Sequence, residues 1–310
     1  MTCPQCGGTK TRKKGTRRGH QRFRCNTCGY WFQGVDNGAK GSTSRDNADI
    51  LQQIDIPDGE DENYSPHILP DNAYPIIVGC DAHIPYHHAE SIKRFIRRAI
   101  EIDARTVILN GDWMDCYQLS MFQRDPGMRD IPEEVKITRQ IFSEIRRARP
   151  DANIIYKLGN HEDRYDYYLM RNAPELFGLK SIHLDALPEL GLADLGIEVI
   201  KNKRIIRSGH LNIVHGHEFP TGISAPVNPA RGLYLRAKKS AMAGHWHQTS
   251  EHTEPAINGD VVTCWSLGCL SGLHPQYMPI NKWNHGFAEI TEESGFFTVR
   301  NRRIIDGRIL

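Results

Sequence analysis

Five short apolar runs in this chain each end in a cluster drawn from Asp, His, Asn and Gly. Ile76-Ile77-Val78-Gly79-Cys80 leads into Asp81-Ala82-His83, and Thr106-Val107-Ile108-Leu109 leads into Gly111-Asp112-Trp113-Met114-Asp115. Ile154-Ile155-Tyr156-Lys157-Leu158 leads into Gly159-Asn160-His161-Glu162. Leu211 to Val214 precedes His215-Gly216-His217, and Ala241-Met242-Ala243 precedes Gly244-His245-Trp246-His247. Short, nearly continuous apolar runs read as buried strands. Between the first three lie two helical stretches: Ile92, Phe95, Ile96, Ala99 and Ile100 share one face over 88–102, as do Val135, Thr138, Phe142 and Ile145 over 132–148. Strand, helix, strand, helix, strand implies parallel pairing in an α/β fold with helices on the faces. Such sheets carry their sites at the carboxyl ends of strands, where these clusters fall. A further helix is expected around 232–239, and strands over 261–267 and 286–299 with a turn at Glu292-Glu293-Ser294-Gly295.

The clusters share a chemistry. Gly159 lets the backbone turn, Asn160 offers a neutral oxygen to a metal, and His161 can hand over a proton. Carboxylate, imidazole and amide oxygen without thiolate suit Mn, Fe, Zn or Ni. Glu162 reads as a complement to a helix N-terminus.

Charge is distributed unevenly. The net is +2, yet residues 1–34 hold eight cations (Lys10, Arg12, Lys13, Lys14, Arg17, Arg18, Arg22 and Arg24) and no Asp or Glu. The rest carries 39 − 8 = 31 Lys and Arg against 37 acids. A basic module on an acidic body points to a nucleic-acid contact at one end, through phosphates, with Phe23, Tyr30 and Trp31 available for packing or base stacking. The bland alternative is a solvated charged face. In the same module Cys3-Pro4-Gln5-Cys6 and Cys25-Asn26-Thr27-Cys28 are two C-x-x-C knuckles with 18 residues between them. Four thiolates so spaced can enclose one structural zinc, stabilising a segment too short for a core. Residues 35–72, rich in Gly, Ser, Asn and acids, read as a flexible linker, leaving 73–310 as the main domain. There is no apolar run long enough to span a membrane, and the start of the chain lacks a signal-peptide core, so a cytoplasmic protein with thiol or metal-ligand cysteines is expected.

Residues 1–34 resemble the zinc ribbons of transposases and phage proteins. From about residue 74 onward, Asp-x-His, Gly-Asp-x-x-Asp, Gly-Asn-His-Glu, His and Gly-His-x-His in that order resemble the calcineurin-like metallophosphoesterases. The surroundings of Trp113, Arg164-Tyr165 and Trp283-Asn284-His285-Gly286-Phe287 look most like the phage-type, repair-exonuclease-like members, which would make the chain phage-encoded and at work in a host cytoplasm. The resemblance implies a four-layer α/β/β/α sandwich and two active-site metals, with Mn the first choice and Fe, Zn or Ni the alternatives. It implies that Asp81, His83, Asp112 and His247 hold one metal, and that Asp112, Asn160, His215 and His245 hold the other. A hydroxide bridging the metals would attack phosphorus, His161 would protonate the leaving oxygen, and Asp115 would orient His161. Arg164 is either a phosphate contact or a helix-surface residue, and His217 either a substrate contact or a support for its neighbours. Two carboxylates against two divalent ions leave such a site positive, which favours a phosphate ester. The expected function is a phosphodiesterase acting on DNA or RNA. The rivals are a phosphomonoesterase or small-molecule phosphodiesterase whose ribbon binds protein, and a non-catalytic nucleic-acid-binding module.

Overall fold

The computed structural model describes residues 1–18, 20–34, 54–57, 59, 64–121, 127, 130–219 and 227–310. The chain divides into two compact units, residues 1–62 and 63–310.

In the first unit, β1 (Thr11–Arg17), β2 (His20–Cys25) and β3 (Trp31–Gln33) form an antiparallel sheet in sequential order. Among the described residues of this unit, the buried apolar side chains are Cys3, Phe23 and Cys25 alone, too few to make a core. The cysteines supply the alternative. Cys3 Sγ lies 3.7 Å from Cys28 Sγ, and Cys6 Sγ 3.6 Å from Cys25 Sγ. Sulfurs held about 2.3 Å from a zinc ion form a tetrahedron with edges of about 3.8 Å, so the cluster fits a closed structural site. The backbone N–H of Cys28, more than that of Thr27, lowers the Cys25 thiol to about 6. Against the lowering by the Gly8 backbone N–H, the neighbouring cysteines push Cys6 up to about 12, so without a metal the four sulfurs share fewer than four negative charges.

The second unit holds two sheets. Its strands in chain order are β4 (His67–Ile68), β5 (Ile76–Gly79), β6 (Thr106–Asn110), β7 (Asn153–Lys157), β8 (Ile197–Ile200), β9 (Ile206–Ser208), β10 (Leu211–Val214), β11 (Ala241–Ala243), β12 (Ser250–Pro255), β13 (Val261–Ser266), β14 (Gly286–Glu293), β15 (Phe296–Ile305) and β16 (Arg308–Ile309). The helices are α1 (Ala89–Glu101), α2 (Ile131–Ala148), α3 (Asp163–Asn172) and α4 (Pro229–Ala237). One sheet runs β16-β15-β14-β5-β6-β7-β8, with β5 to β8 parallel. The other runs β12-β13-β11-β10-β9-β4, with β10, β11 and β13 parallel.

The apolar runs are buried on both faces, and alternate side chains serve different layers. Ile77, Val107, Leu109, Ile154 and Tyr156 face α1 and α2, packing with Phe95 and Phe142. Ile76, Val78, Ile108 and Ile155 face the other way, meeting Ile206, Leu211, Ile213 and Met242 of the second sheet. The far side of that sheet, through Val214, Ala241 and Ala243, is covered by Ala230 and Leu233 of α4. The layers are therefore α/β/β/α, as the resemblance implied.

The helix starts have local causes. The His88 side chain accepts from Ser91 N–H, Asp130 from Glu133 N–H and Asn228 from Arg231 N–H, each satisfying a donor of the first turn. Of the expected linker, 35–53, 58 and 60–63 lie outside the described residues. The body takes in more of that stretch than expected: β4 pairs in parallel with β9, and Leu69 is buried. Among the described residues no helix is long and apolar enough to cross a membrane.

Phe142 is fully buried and meets Trp113 and Tyr156 edge-on, with ring centroids 5.6 and 5.2 Å away. Phe142→Ala is expected to destabilise the body by about 3–5 kcal/mol, read from the urea midpoint of its unfolding transition. A loss below about 1 kcal/mol would contradict this account of the helix-facing core.

Candidate active site

The parallel strands end along one edge, and the loops that follow them converge. β5 delivers Asp81 and His83, β6 Asp112 and Asp115, β7 Asn160 and His161, β10 His215, and β11 His245 and His247. Five of the seven candidate metal ligands hold left-handed backbone: Asp81, His83, Asp112, His245 and His247, with φ between 47° and 68°. Non-glycine residues avoid this region, and its concentration here marks loops held by their surroundings at a functional site. Glycine is required between them. A Cβ on Gly159 would lie 2.3 Å from Asp112 Oδ1, and one on Gly111, itself at φ +83°, 2.3 Å from His215 Nδ1.

Three groups of side chains come close enough to hold a metal ion: Asp81 with His83 and His247, Asp112 with His215 and His245, and His83 with Asp112 and His161. Asp112 Oδ2 is the hub, 3.2 Å from His215 Nε2, 3.8 Å from His161 Nε2 and 4.0 Å from His83 Nε2. His247 Nε2 lies 3.2 Å from Asp81 Oδ1 and 3.1 Å from His83 Nε2. Two observations show that divalent metals fit this donor set. The buried atom Asn160 Oδ1 has no hydrogen-bond partner, an arrangement that costs free energy unless another ligand engages it. The donors are carboxylate, imidazole and amide oxygens, the set that suits first-row divalent ions.

The field of the cluster follows from its composition. Burial opposes ionisation of Asp112, but His215 and His161 hold its pKa well below the ordinary value. Asp81 is lowered to about 2 against burial, chiefly by His247. Burial alone would depress His215, yet Asp112 raises it to about 10. Burial and the neighbouring His215 lower His245 to about 4.

His161 sits beside the hub rather than within either outer triad. Its Nδ1 meets the Asp115 carbonyl at 2.9 Å and Asp115 Oδ1 at 3.0 Å, leaving Nε2 toward Asp112. Burial works against its protonation, but Asp112 and then Asp115 raise its pKa above the ordinary value. Arg164, in the first turn of α3, donates Nη1 to the Asp115 carbonyl and places Nη2 3.0 Å from His161 Nε2. Its guanidinium thus reaches the candidate site from the helix. His217 packs edge-on against His215 and lies 3.4 Å from Asp163 Oδ2, with both ring nitrogens buried and without hydrogen bonds.

Two supporting carboxylates, Glu162 and Glu218, were not legible as such in the sequence. Glu162 does not cap α3: its carboxylate accepts from the N–H groups of Asp112, Met114 and Gly159 and from the Tyr156 hydroxyl, at 2.7–2.9 Å. Glu218 accepts from the N–H groups of His215 and Gly216 and pairs at 2.9 Å with Lys157, whose side chain is fully buried. Lys157 was the signal, since a charge inside an apolar strand demands a partner. In the basic unit, Arg12 lies opposite Arg24, and Arg24 opposite Trp31, so the three share one face. The Arg22 guanidinium stacks 4.6 Å from the exposed Trp31 ring, while Phe23 is buried on Phe32. All the basic candidates except the half-buried Arg22 are exposed.

In fold and in the order of its polar clusters the chain resembles the calcineurin-like metallophosphoesterases. No family model matches the sequence, and neither does any curated protein. Among solved structures, Vps29 from Entamoeba histolytica complexed with Zn2+ is 13% identical, with a TM-score of 0.39, over 76% of this chain and 95% of that one. Pseudomonas putida nuclease MPE is 14% identical, with a TM-score of 0.31, over 73% and 87%. Yfce, a phosphoesterase from E. coli, is 12% identical, with a TM-score of 0.39, over 76% and 96%. Likenesses at this level carry no argument about activity.

Two outcomes follow. Because Asp112 holds His215 protonated near neutral pH and a metal requires neutral imidazole, metal binding at pH 8 should release protons. Calorimetry in buffers of different ionisation enthalpy reads this, and no release would contradict the assignment of His215. Glu162→Gln replaces an oxygen that faces N–H donors with an amide, and should weaken metal binding about 10–100-fold in the same titration. Unchanged affinity would show that Glu162 does not position the site.

Proposed function

We propose that the chain is a calcineurin-like, two-metal phosphoesterase of the phage type, acting on the phosphodiesters of DNA or RNA. The observation that carries this reading is the position of Asp112 Oδ2, one buried carboxylate oxygen shared by His83 on one side and His215 on the other. Asp81, His83, Asp112 and His247 would hold one metal, and Asp112, Asn160, His215 and His245 the other, Mn being the first candidate. Bound there, the metals polarise a phosphoryl oxygen and lower the pKa of water. The chain's own groups do the rest. Asp115 accepts from His161 Nδ1 and orients the ring. In the imidazolium form, which Asp112 and Asp115 favour against burial, Nε2 would also carry a proton for the leaving oxygen, with Arg164 Nη2 turned from Nε2 to the phosphate. Arg164 sits beside Nε2, where a cation can take a non-bridging phosphate oxygen. His217 lines the same loop as His215 and is a further substrate contact.

The basic unit supports a polyanionic substrate. Its exposed cations and the Arg-flanked Trp31 suit phosphates and a stacked base. A structural zinc in the four-cysteine cluster would hold that face in shape.

His161→Asn should lower kcat for Mn-dependent hydrolysis of bis-p-nitrophenyl phosphate by about 100-fold or more, with metal content unchanged by elemental analysis. Wild-type turnover in that variant would remove His161 from the chemistry. Replacing Arg12, Arg22 and Arg24 by Ala should weaken binding to single-stranded DNA and reduce the slope of log K against log salt by about two. An unchanged slope would make this face a solvated one.

A further inference from the structure

Between Leu270 and Gly286 the chain leaves the second unit's core and returns, and this excursion sits beside the candidate ligand His247. It is a built lobe. Asn281 Nδ2 donates to the carbonyls of Leu273 (2.7 Å) and Met278 (2.8 Å), and Trp283 N–H donates to Asn281 Oδ1. His285 Nε2 pairs with the Ser271 carbonyl across its neck, and Asn284 N–H donates to the carbonyl of His247 itself. The lobe is thereby tied to the loop that carries the ligand.

It presents two aromatic rings beside the site. The Trp283 ring lies 4.1 Å from the His247 ring, and Tyr277 lies 6.3 Å from Trp283. The planes of Tyr277 and Trp283 are 66° apart, so the two do not stack on each other. Tyr277 is 73% exposed, a large apolar ring held in water by an ordered loop. Its phenol nonetheless feels the site: partial desolvation, then Asp115 and Asp112, with Arg164 opposing, push it up to about 12.

Long-range charge does not explain how a polyanion would be gripped here, because beyond residue 34 acids outnumber Lys and Arg by 37 to 31. An aromatic platform needs no charge. Base–aromatic stacking contributes about 1–3 kcal/mol per base and accepts any base. We propose that the lobe of residues 271–285 is a base-stacking subsite, in which Trp283 and Tyr277 hold the nucleobase next to the phosphate bound at the Asp112 cluster. This rests on the phosphoesterase reading and narrows it: the substrate is a nucleoside phosphate ester, gripped by its base as well as its phosphate. The exposed Met278 and Ile280 in the same lobe make a protein contact the competing use.

The test is calorimetric binding of thymidine 5′-monophosphate and of inorganic phosphate to the full, Mn-loaded chain, beside Tyr277→Ala and Tyr277→Phe. The nucleotide should bind about tenfold more tightly than phosphate. Tyr277→Ala should lose most of that preference, and Tyr277→Phe should keep it. Equal affinities for nucleotide and phosphate, or a preference untouched in Tyr277→Ala, overturn the subsite while leaving the phosphoesterase standing. A Tyr277→Ala variant that changes only its oligomeric state in sedimentation overturns it in favour of a protein contact. Hydrolysis of p-nitrophenyl esters, measured in parallel, judges the phosphoesterase reading separately: a chain that prefers the nucleotide but cleaves no ester keeps the subsite and loses the enzyme.

Discussion

The site depends on one buried carboxylate outside the candidate ligand set. Glu162 collects four donors from three segments: two N–H groups of the loop after β6, one of the loop after β7, and the hydroxyl of Tyr156. Hydrogen bonds to a charged acceptor contribute about 1.5–3 kcal/mol each, and together they offset the cost of burying the group. That cost is visible, since burial, followed by Asp112, raises the Glu162 pKa. The geometric result is that Asp112 cannot move independently of Asn160 and His161. His161 N–H in turn donates to Asp112 Oδ1, which closes the link from the other side.

Around that link the sandwich acts as a jig. Strands buried on both faces cannot slip by one residue without turning a helix-facing side chain into the inter-sheet core. Their carboxyl ends are therefore fixed, and with them the starts of the loops. The second sheet repeats the device through a different pair: Glu218 holds the backbone of His215 and Gly216, and Lys157, from the first sheet, holds Glu218. Burial opposes ionisation of Glu218, but Lys157 lowers it to about 2, and the contact between them ties the two sheets together near the candidate ligands. Left-handed backbone at five ligand positions is the local cost of this convergence.

Much of this was legible in the residues, for identifiable reasons. The strands at 76–79, 106–110, 153–157 and 211–214 and the helices at 89–101 and 131–148 carry strong apolar patterns, and the structure places them within a residue or two of expectation. The helix expected around 232–239 spans Pro229–Ala237, with Asn228 and Pro229 supplying the start signal. Less visible were β4, β8, β9 and β16, short strands of mixed polarity, and α3, which buries no residue and so shows no apolar face. The strands of the basic unit carry charge where a pattern would be sought. Candidate ligands could be named because each follows a strand end. Glu162, Glu218 and the lobe around Trp283 could not, because their partners, such as Asp112 and Met114 for Glu162 and Lys157 for Glu218, are distant in the chain and brought together only by the fold. Arg164 and Phe23 were each open between two uses; in the fold Arg164 reaches Asp115 and His161, and Phe23 packs on Phe32 in the small unit.

The central claim is that Asp112 stands between two metal ions. Crystals grown with Mn2+, with diffraction collected at the Mn absorption edge, test it most directly. The account predicts two anomalous peaks about 3.5–4 Å apart, one on each side of Asp112 Oδ2, the first reached by Asp81, His83 and His247 and the second by Asn160, His215 and His245. No peak, or a single peak that leaves His215 and His245 unengaged, would contradict it.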